Sequence, residues 1–542
     1  MALPRCTRFP SVALISLLLL GSTASAISTP RPASADSATV SVAYTSNLAT
    51  MDPEQAYTDD WWLINGTVFA GLYQFDRLGK PQLNLADGAP VISNGRKTWT
   101  FKINPKARFS NGAPVTASDF AFTMTRTLDP KLKPAVSWGQ GPEEILQGAA
   151  DFVAGKAKSV SGIHVVDSHT LRLTLTQPFD LLPYLLASTY NMVLPQAVVS
   201  AETADQVANH PVGAGPYMLQ SWQRGNQAVF TRNPYYFRGQ PKIAKIIAYE
   251  NVASSLIALK VQKGELDGYG NNQEIAAPDL QQLQGDAKYA KYLVNSPAAN
   301  VIWLDLDLHV APLDSTPLRQ AIAMAIDHRR LVQLLGGNGI IANQMFIPLD
   351  PQHDPVLDQH PVFAYDPQKA ASLVKQSGYH GQPITLLYGN DVAFFTSLAP
   401  GIQQQLQQIG LNVTLRGVSS TELLAQGAPL TGHQMSLGQW SMDYPDGYDI
   451  YASAMSCAGN VGGGTIAGHY CDPSADTLFN KSNVLPLGAA RDSLLRQAQV
   501  QVLQSAVHIP LVFLKSIEIV SPRVKNYFYM PTFGWQFESY SL

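Results

Sequence analysis

The chain has 542 residues, with 37 Lys plus Arg against 40 Asp plus Glu and a formal net charge of −3. Its basic residues are scattered rather than gathered into a stripe, which excludes a nucleic-acid partner. About 500 residues remain beyond the leader, more than one core supports, so two or three domains are expected.

At the start, Arg5 and Arg8 precede an apolar stretch from Val12 to Leu20 and the small residues Ala24-Ser25-Ala26. This is the layout of a cleaved signal peptide over residues 1–26, and Ala33-Ser34-Ala35 offers a later cut, up to 35. The stretch is shorter than the roughly 20 residues that span a bilayer. Cys6 lies before it, whereas a lipoprotein cysteine follows it, so the expectation is a soluble periplasmic protein with no membrane anchor after processing.

Alternation in Trp99-Thr100-Phe101-Lys102-Ile103 and Leu171-Arg172-Leu173-Thr174-Leu175 predicts strands with one wet face. Farther on, Thr316-Pro317 opens a helix whose apolar face holds Leu318, Ile322 and Ile326 and which Gly336 stops. Asp366-Pro367 opens another that Gly378 closes. A third carries Ile402, Leu406 and Ile409 into Gly410, after which Leu411, Val413 and Leu415 alternate as a strand, an α/β pattern. Cys457 and Cys471 are the cysteines left after processing, and a pair this close in an oxidising compartment reads as a disulfide. Closing a loop of about 15 residues contributes on the order of 3 kcal/mol in a chain-entropy treatment.

Catalytic signatures do not emerge. There is no Gly-x-Ser-x-Gly elbow and no His-Glu-x-x-His helix, and the run Gly462-Gly463-Gly464 lacks the Lys of a phosphate loop. His353, His360, His433 and His469 show no paired ligand spacing, so neither a metal nor another cofactor is expected.

Several segments, in order, carry a resemblance. They include Asn47-Leu48-Ala49-Thr50-Met51-Asp52-Pro53, Thr98-Trp99-Thr100-Phe101-Lys102, Phe109-Ser110-Asn111-Gly112, Pro211-Val212-Gly213-Ala214-Gly215-Pro216-Tyr217, Arg232-Asn233-Pro234-Tyr235-Tyr236, Lys263-Gly264-Glu265-Leu266-Asp267 and Tyr365-Asp366-Pro367. Together they resemble bacterial extracellular solute-binding proteins of family 5, the oligopeptide- and dipeptide-binding components of ABC importers. The resemblance implies an α/β fold of the type II periplasmic-binding-protein clamshell class, two lobes with an extra subdomain in the first. Mapped here, the first lobe is expected over 36–297 plus 510–542, the subdomain near 76–190 and the second lobe over 298–509, closed by an apolar strand from Ile509 to Val520. It further implies a monomeric receptor rather than an enzyme, with a peptide ligand and a membrane permease as partners.

The segment Gly438-Gln439-Trp440-Ser441-Met442-Asp443-Tyr444-Pro445-Asp446 resembles the family's ligand-pairing strand, with Asp443 at the position of the aspartate that takes the ligand's α-amino group. Such a charge-assisted bond in a closed cleft is about twice as strong as a neutral one. The bland alternative is that Asp443 merely starts a turn. Gln439, Trp440, Ser441 and Met442 would offer backbone groups, which recognise a peptide whatever its side chains; Trp440 either walls a pocket or packs ordinarily. Asn47 is carried as a cleft residue or a turn residue. Where dipeptide-binding relatives hold an arginine and a tyrosine for the ligand carboxylate, this chain reads Gly389 and Asp391. Oligopeptides rather than strict dipeptides are therefore expected, with a cationic or opine-like compound, a sugar, or nickel or haem as alternative ligands.

Overall fold

The computed structural model describes residues 38–48, 50–55, 66–132, 145–188, 191–269, 277–419, 422–423, 433–459, 470–529 and 535–542. The expected signal peptide, His469 and the run Gly462-Gly463-Gly464 lie outside them.

In chain order the first strands are β1 (Thr39–Ala43), β2 (Tyr73–Phe75), β3 (Pro81–Leu83), β4 (Val91–Ser93), β5 (Thr98–Lys102), β6 (Ile163–Asp167), β7 (Thr170–Thr174), β8 (Tyr217–Gln223), β9 (Gln227–Arg232), β10 (Lys245–Tyr249) and β11 (Gly268–Tyr269). They form a five-stranded sheet in the order β11-β1-β10-β9-β8, a four-stranded sheet in the order β4-β5-β7-β6, and the hairpin β2-β3. The alternation in β5 does what it predicts: Trp99 and Phe101 are buried, and Thr98, Thr100 and Lys102 are not.

The later strands are β12 (Leu293–Leu306), β13 (Gly339–Ile341), β14 (Ile384–Gly389), β15 (Val413–Val418), β16 (Met435–Ser441) and β17 (His508–Ile519). They form a six-stranded sheet in the order β13-β17-β12-β16-β14-β15. Both faces are covered, which is why β12 and β17 read as near-continuous apolar runs. One face packs Ile302, Leu304, Met435 and Leu437 against the helices Thr316–Ala325 and Ala393–Gln408. The other packs Val301, Trp303, Trp440 and Met442 with Phe346, Tyr451 and Phe479.

Two lobes follow from how β12 and β17 run. Their outer ends pair Leu293 with Ile519 and Ser296 with Ser516, and Val520 bridges Gly268 of the five-stranded sheet. Farther in, the same two strands become the centre of the six-stranded sheet. The chain thus passes between the sheets along one antiparallel ribbon, the clamshell arrangement, with the four-stranded sheet as the extra part of the first lobe.

Local signals place the second lobe's helices. Asp366 caps the helix Pro367–Gln376 by accepting from the Lys369 N–H at 2.9 Å, and Gly378 follows at φ +77°. The helix Ala393–Gln408 runs into Gly410 at φ +93° and then β15. One expectation fails: the single helix expected from Thr316 to Gly336 is two, Thr316–Ala325 and His328–Leu334. Ile326 turns extended, and Asp327 accepts from the Arg329 N–H at 3.0 Å, starting a new helix.

Candidate ligand-binding site between the lobes

β16 pairs antiparallel with β12 from Asn300↔Ser441 to Leu306↔Met435, and parallel with β14 at Leu386↔Met435 and Leu387↔Ser436. The carboxyl ends of β14 and β16 therefore reach the same edge of the sheet, the edge at which open α/β sheets take ligands. Gly438 is needed there. A Cβ on it would lie 2.5 Å from the Trp303 indole, so only glycine lets β16 lie this close to that ring.

Beyond Ser441 the chain folds into a compact acidic turn. Asp443 is half-buried, and its backbone N–H donates to Asp449 Oδ2 at 2.9 Å. The same oxygen accepts the Trp440 indole N–H at 2.8 Å. Asp449 is buried, and that burial, with Asp446 nearby, pushes its carboxyl up to about 7 against the pull of those two donors. Asp446 and Arg491, both buried, form a two-pronged ion pair at 2.8 and 2.7 Å. Gln352 knits the turn together, donating to Asp446 Oδ2 at 3.1 Å and Asp492 Oδ1 at 2.6 Å and accepting from the Gly447 N–H at 2.8 Å. Asp350 is buried beside them, and burial first, then Asp446, drives its carboxyl well above the usual range.

This turn meets the first lobe. Tyr444 is buried within that lobe's core cluster, with its ring 6.1 Å from Tyr184, while Tyr448 meets Phe179 at 5.1 Å. Arg96, on the turn between β4 and β5, donates to Asp180 at 2.7 Å and to the Val484 carbonyl at 2.6 Å. Val484 caps the carboxyl end of the second-lobe helix Pro473–Asn483, so a cation sits where carbonyls converge.

Of the residues singled out in the sequence, Gln439, Trp440, Ser441, Met442 and Asp443 lie together on β16 and its exit. Gln439 and Ser441 are half-buried on one face, where the Gln439 amide donates to Ser441 Oγ at 3.1 Å and to Asn300 Oδ1 at 3.4 Å. Trp440 and Met442 point to the other face and are buried in its core, so the packing reading of Trp440 is the one its surroundings support. Asn47 is exposed beyond the carboxyl end of β1, and its Oδ1 accepts from Asn251 Nδ2 at 2.7 Å, tying two loops. Asp391 is exposed just beyond the carboxyl end of β14. Cys457 and Cys471 form a disulfide, with Cα atoms 4.4 Å apart. His353 is held by Asp358 at 2.8 Å and by the Phe346 carbonyl at 2.8 Å, and among the described residues no group of three His, Cys, Asp or Glu could hold a metal ion. Among them, too, no helix is long and apolar enough to cross a membrane.

Asp449, Asp446, Arg491, Gln352 and Asn300 were missed. The spacing of Asp443, Asp446 and Asp449, three apart, was the signal that could have found two of them; their partners are remote in sequence.

Comparison with known proteins fixes the family. The chain matches the bacterial extracellular solute-binding proteins, family 5 Middle, over residues 80–462. It belongs to that family. Among relatives, the probable D,D-dipeptide-binding periplasmic protein of Escherichia coli is 25% identical over 500 residues, covering 89% of this chain and 90% of that protein. A glutathione-binding protein of Pectobacterium atrosepticum is 25% identical over 544 residues, covering 97% and 98%. The fold matches the solved structure of clavulanic acid biosynthesis oligopeptide binding protein 2 with a TM-score of 0.82 at 19% identity, covering 93% of this chain and 95% of that one.

Proposed function

We propose that this chain is the periplasmic receptor of an ABC importer, a binder rather than an enzyme, that encloses peptides between its lobes and hands them to a membrane permease. Asp443 takes the ligand's α-amino group, and the backbone of Gln439 to Ser441 runs beside the ligand chain. The observation that carries this is the place of Asp443: half-buried at the carboxyl end of β16, one residue before a tyrosine that packs into the opposite lobe. A carboxylate there meets a ligand only when the lobes close around it, so ligand contact and closure favour each other. β12 and β17 serve as the hinge, the first lobe being built on the five-stranded sheet and the second on the six-stranded sheet.

The test begins with a pool of synthetic tri- to pentapeptides, from which the best-retained member is identified by native mass spectrometry and taken into calorimetry. Asp443→Asn is expected to weaken its binding by tens to thousands of times, matching the roughly 2–5 kcal/mol lost when one partner of a buried charge pair is removed. N-terminal acetylation of the peptide should weaken binding to the unaltered protein similarly. Retention of no peptide, or equal affinity for both forms, would overturn the reading.

A second reading takes a ligand with an additional positive charge, favoured by the position of Asp391 at the end of β14 beside β16. Tighter binding of lysine-containing peptides, lost in Asp391→Asn, is the result that would support it.

A further inference from the structure

The acidic turn holds more carboxylates than cations. Asp443, Tyr444, Asp446 and Tyr448 face Asp449 from its own segment, Asp350 faces it from the loop after β13, and Arg491 reaches in from the helix Ala489–Gln504. Arg491 gives two nitrogens to Asp446 and lies 3.7 Å from Asp492. Asp449 is left with neutral donors alone, the Trp440 indole and the Asp443 backbone, both on one oxygen. Among the described residues no Lys or Arg forms an ion pair with it. A buried acid placed this way has one economical neutral form, the protonated one.

We infer that Asp449 is the positioning residue of the ammonium site: it fixes the main chain of Asp443 and releases its proton when a cationic amino terminus arrives. This rests on the assignment of Asp443 to the ligand's amino group. The released proton goes to solvent, and the ligand's positive charge takes its place in the turn. The recognised class is thus a protonated amine, and uptake is linked to proton release.

The sign follows from linkage. In the ligand-free protein the Asp449 carboxyl keeps its proton below about 7; a nearby ammonium favours the carboxylate, so the complex holds fewer protons than its separated parts. Affinity therefore rises as pH climbs from 5.5 toward 7.5, by roughly 20-fold if the complex stays ionised throughout. Above that window the ligand's own amine begins to lose its proton, near about 8.

The experiment is calorimetry of the full mature chain with the best-retained peptide, in two buffers of different ionisation enthalpy. At pH 7 the unaltered protein is expected to release about half a proton per ligand, while Asp449→Asn releases none and binds with a flat profile from pH 5.5 to 7.5. Trp440→Phe, which removes one donor to the carboxylate, should move the profile to higher pH. A merely structural Asp449 would change affinity at every pH alike and leave the proton count untouched. Equal proton release by the unaltered protein and Asp449→Asn overturns this inference while leaving the role of Asp443 standing. Absence of any peptide binding by the unaltered protein overturns both.

Discussion

Each lobe buries a cluster of acids around one arginine, and the two clusters divide that arginine differently. In the first lobe Arg126 donates to both oxygens of Asp52, at 3.0 and 2.5 Å, and to Glu54 as well. In the second, Arg491 is committed to Asp446, and among the described residues no Lys or Arg pairs with Asp449. The first cluster ties an N-terminal loop to the helix Ala117–Thr127 and faces inward. The second sits where the second lobe meets the first, and under the proposed function its surplus carboxylates are answered by a ligand. Under that proposal, equal ingredients serve cohesion in one place and reception in the other.

The largest effects test that contrast directly. Arg491→Ala and Arg126→Ala each leave a buried carboxylate unpaired, a loss of about 3–5 kcal/mol expected to show in the denaturant midpoint. Calorimetry on the folded fraction should then separate them, with peptide affinity falling for Arg491→Ala and holding for Arg126→Ala. An equal fall in both would break the contrast. A smaller effect comes from Gly438→Ala, which pushes a methyl group into the Trp303 ring without touching a charge. Overpacking of this kind costs about 1–3 kcal/mol, so the midpoint should drop while the pH dependence of binding keeps its shape. The smallest concerns Arg96, which joins the lobes yet stays partly exposed. Arg96→Ala is expected to cost no more than about 1 kcal/mol, read as a few-fold weaker affinity with an unchanged midpoint. An unchanged affinity would make the link between Arg96 and Val484 incidental.

Much of the fold was legible because its signals are local. The alternation in β5, the cap at Asp366 and the apolar run that becomes β17 each need only a handful of neighbouring residues to be read. The break at Asp327 was hidden because Ile326 continues the apolar periodicity across it, and a cap outweighed that pattern. For the site, likeness of the segment around Asp443 pointed to β16 and its exit, where Gln439 to Asp443 lie together. The partners that hold the acidic turn beside it were not legible: Arg491 is 45 residues from Asp446, and Gln352 is 94 residues from it. Asn300 was hidden too, because only the register of β12 against β16 sets it beside Ser441. Trp440 was ambiguous for a related reason, since whether an indole walls a pocket or fills a core depends on which face of the sheet is covered.

The bond between Cys457 and Cys471 brackets the intervening stretch covalently, with the helix Pro473–Asn483 beginning two residues after it. A protease cut inside that bracket would leave the two pieces of chain linked, separating only under a reductant.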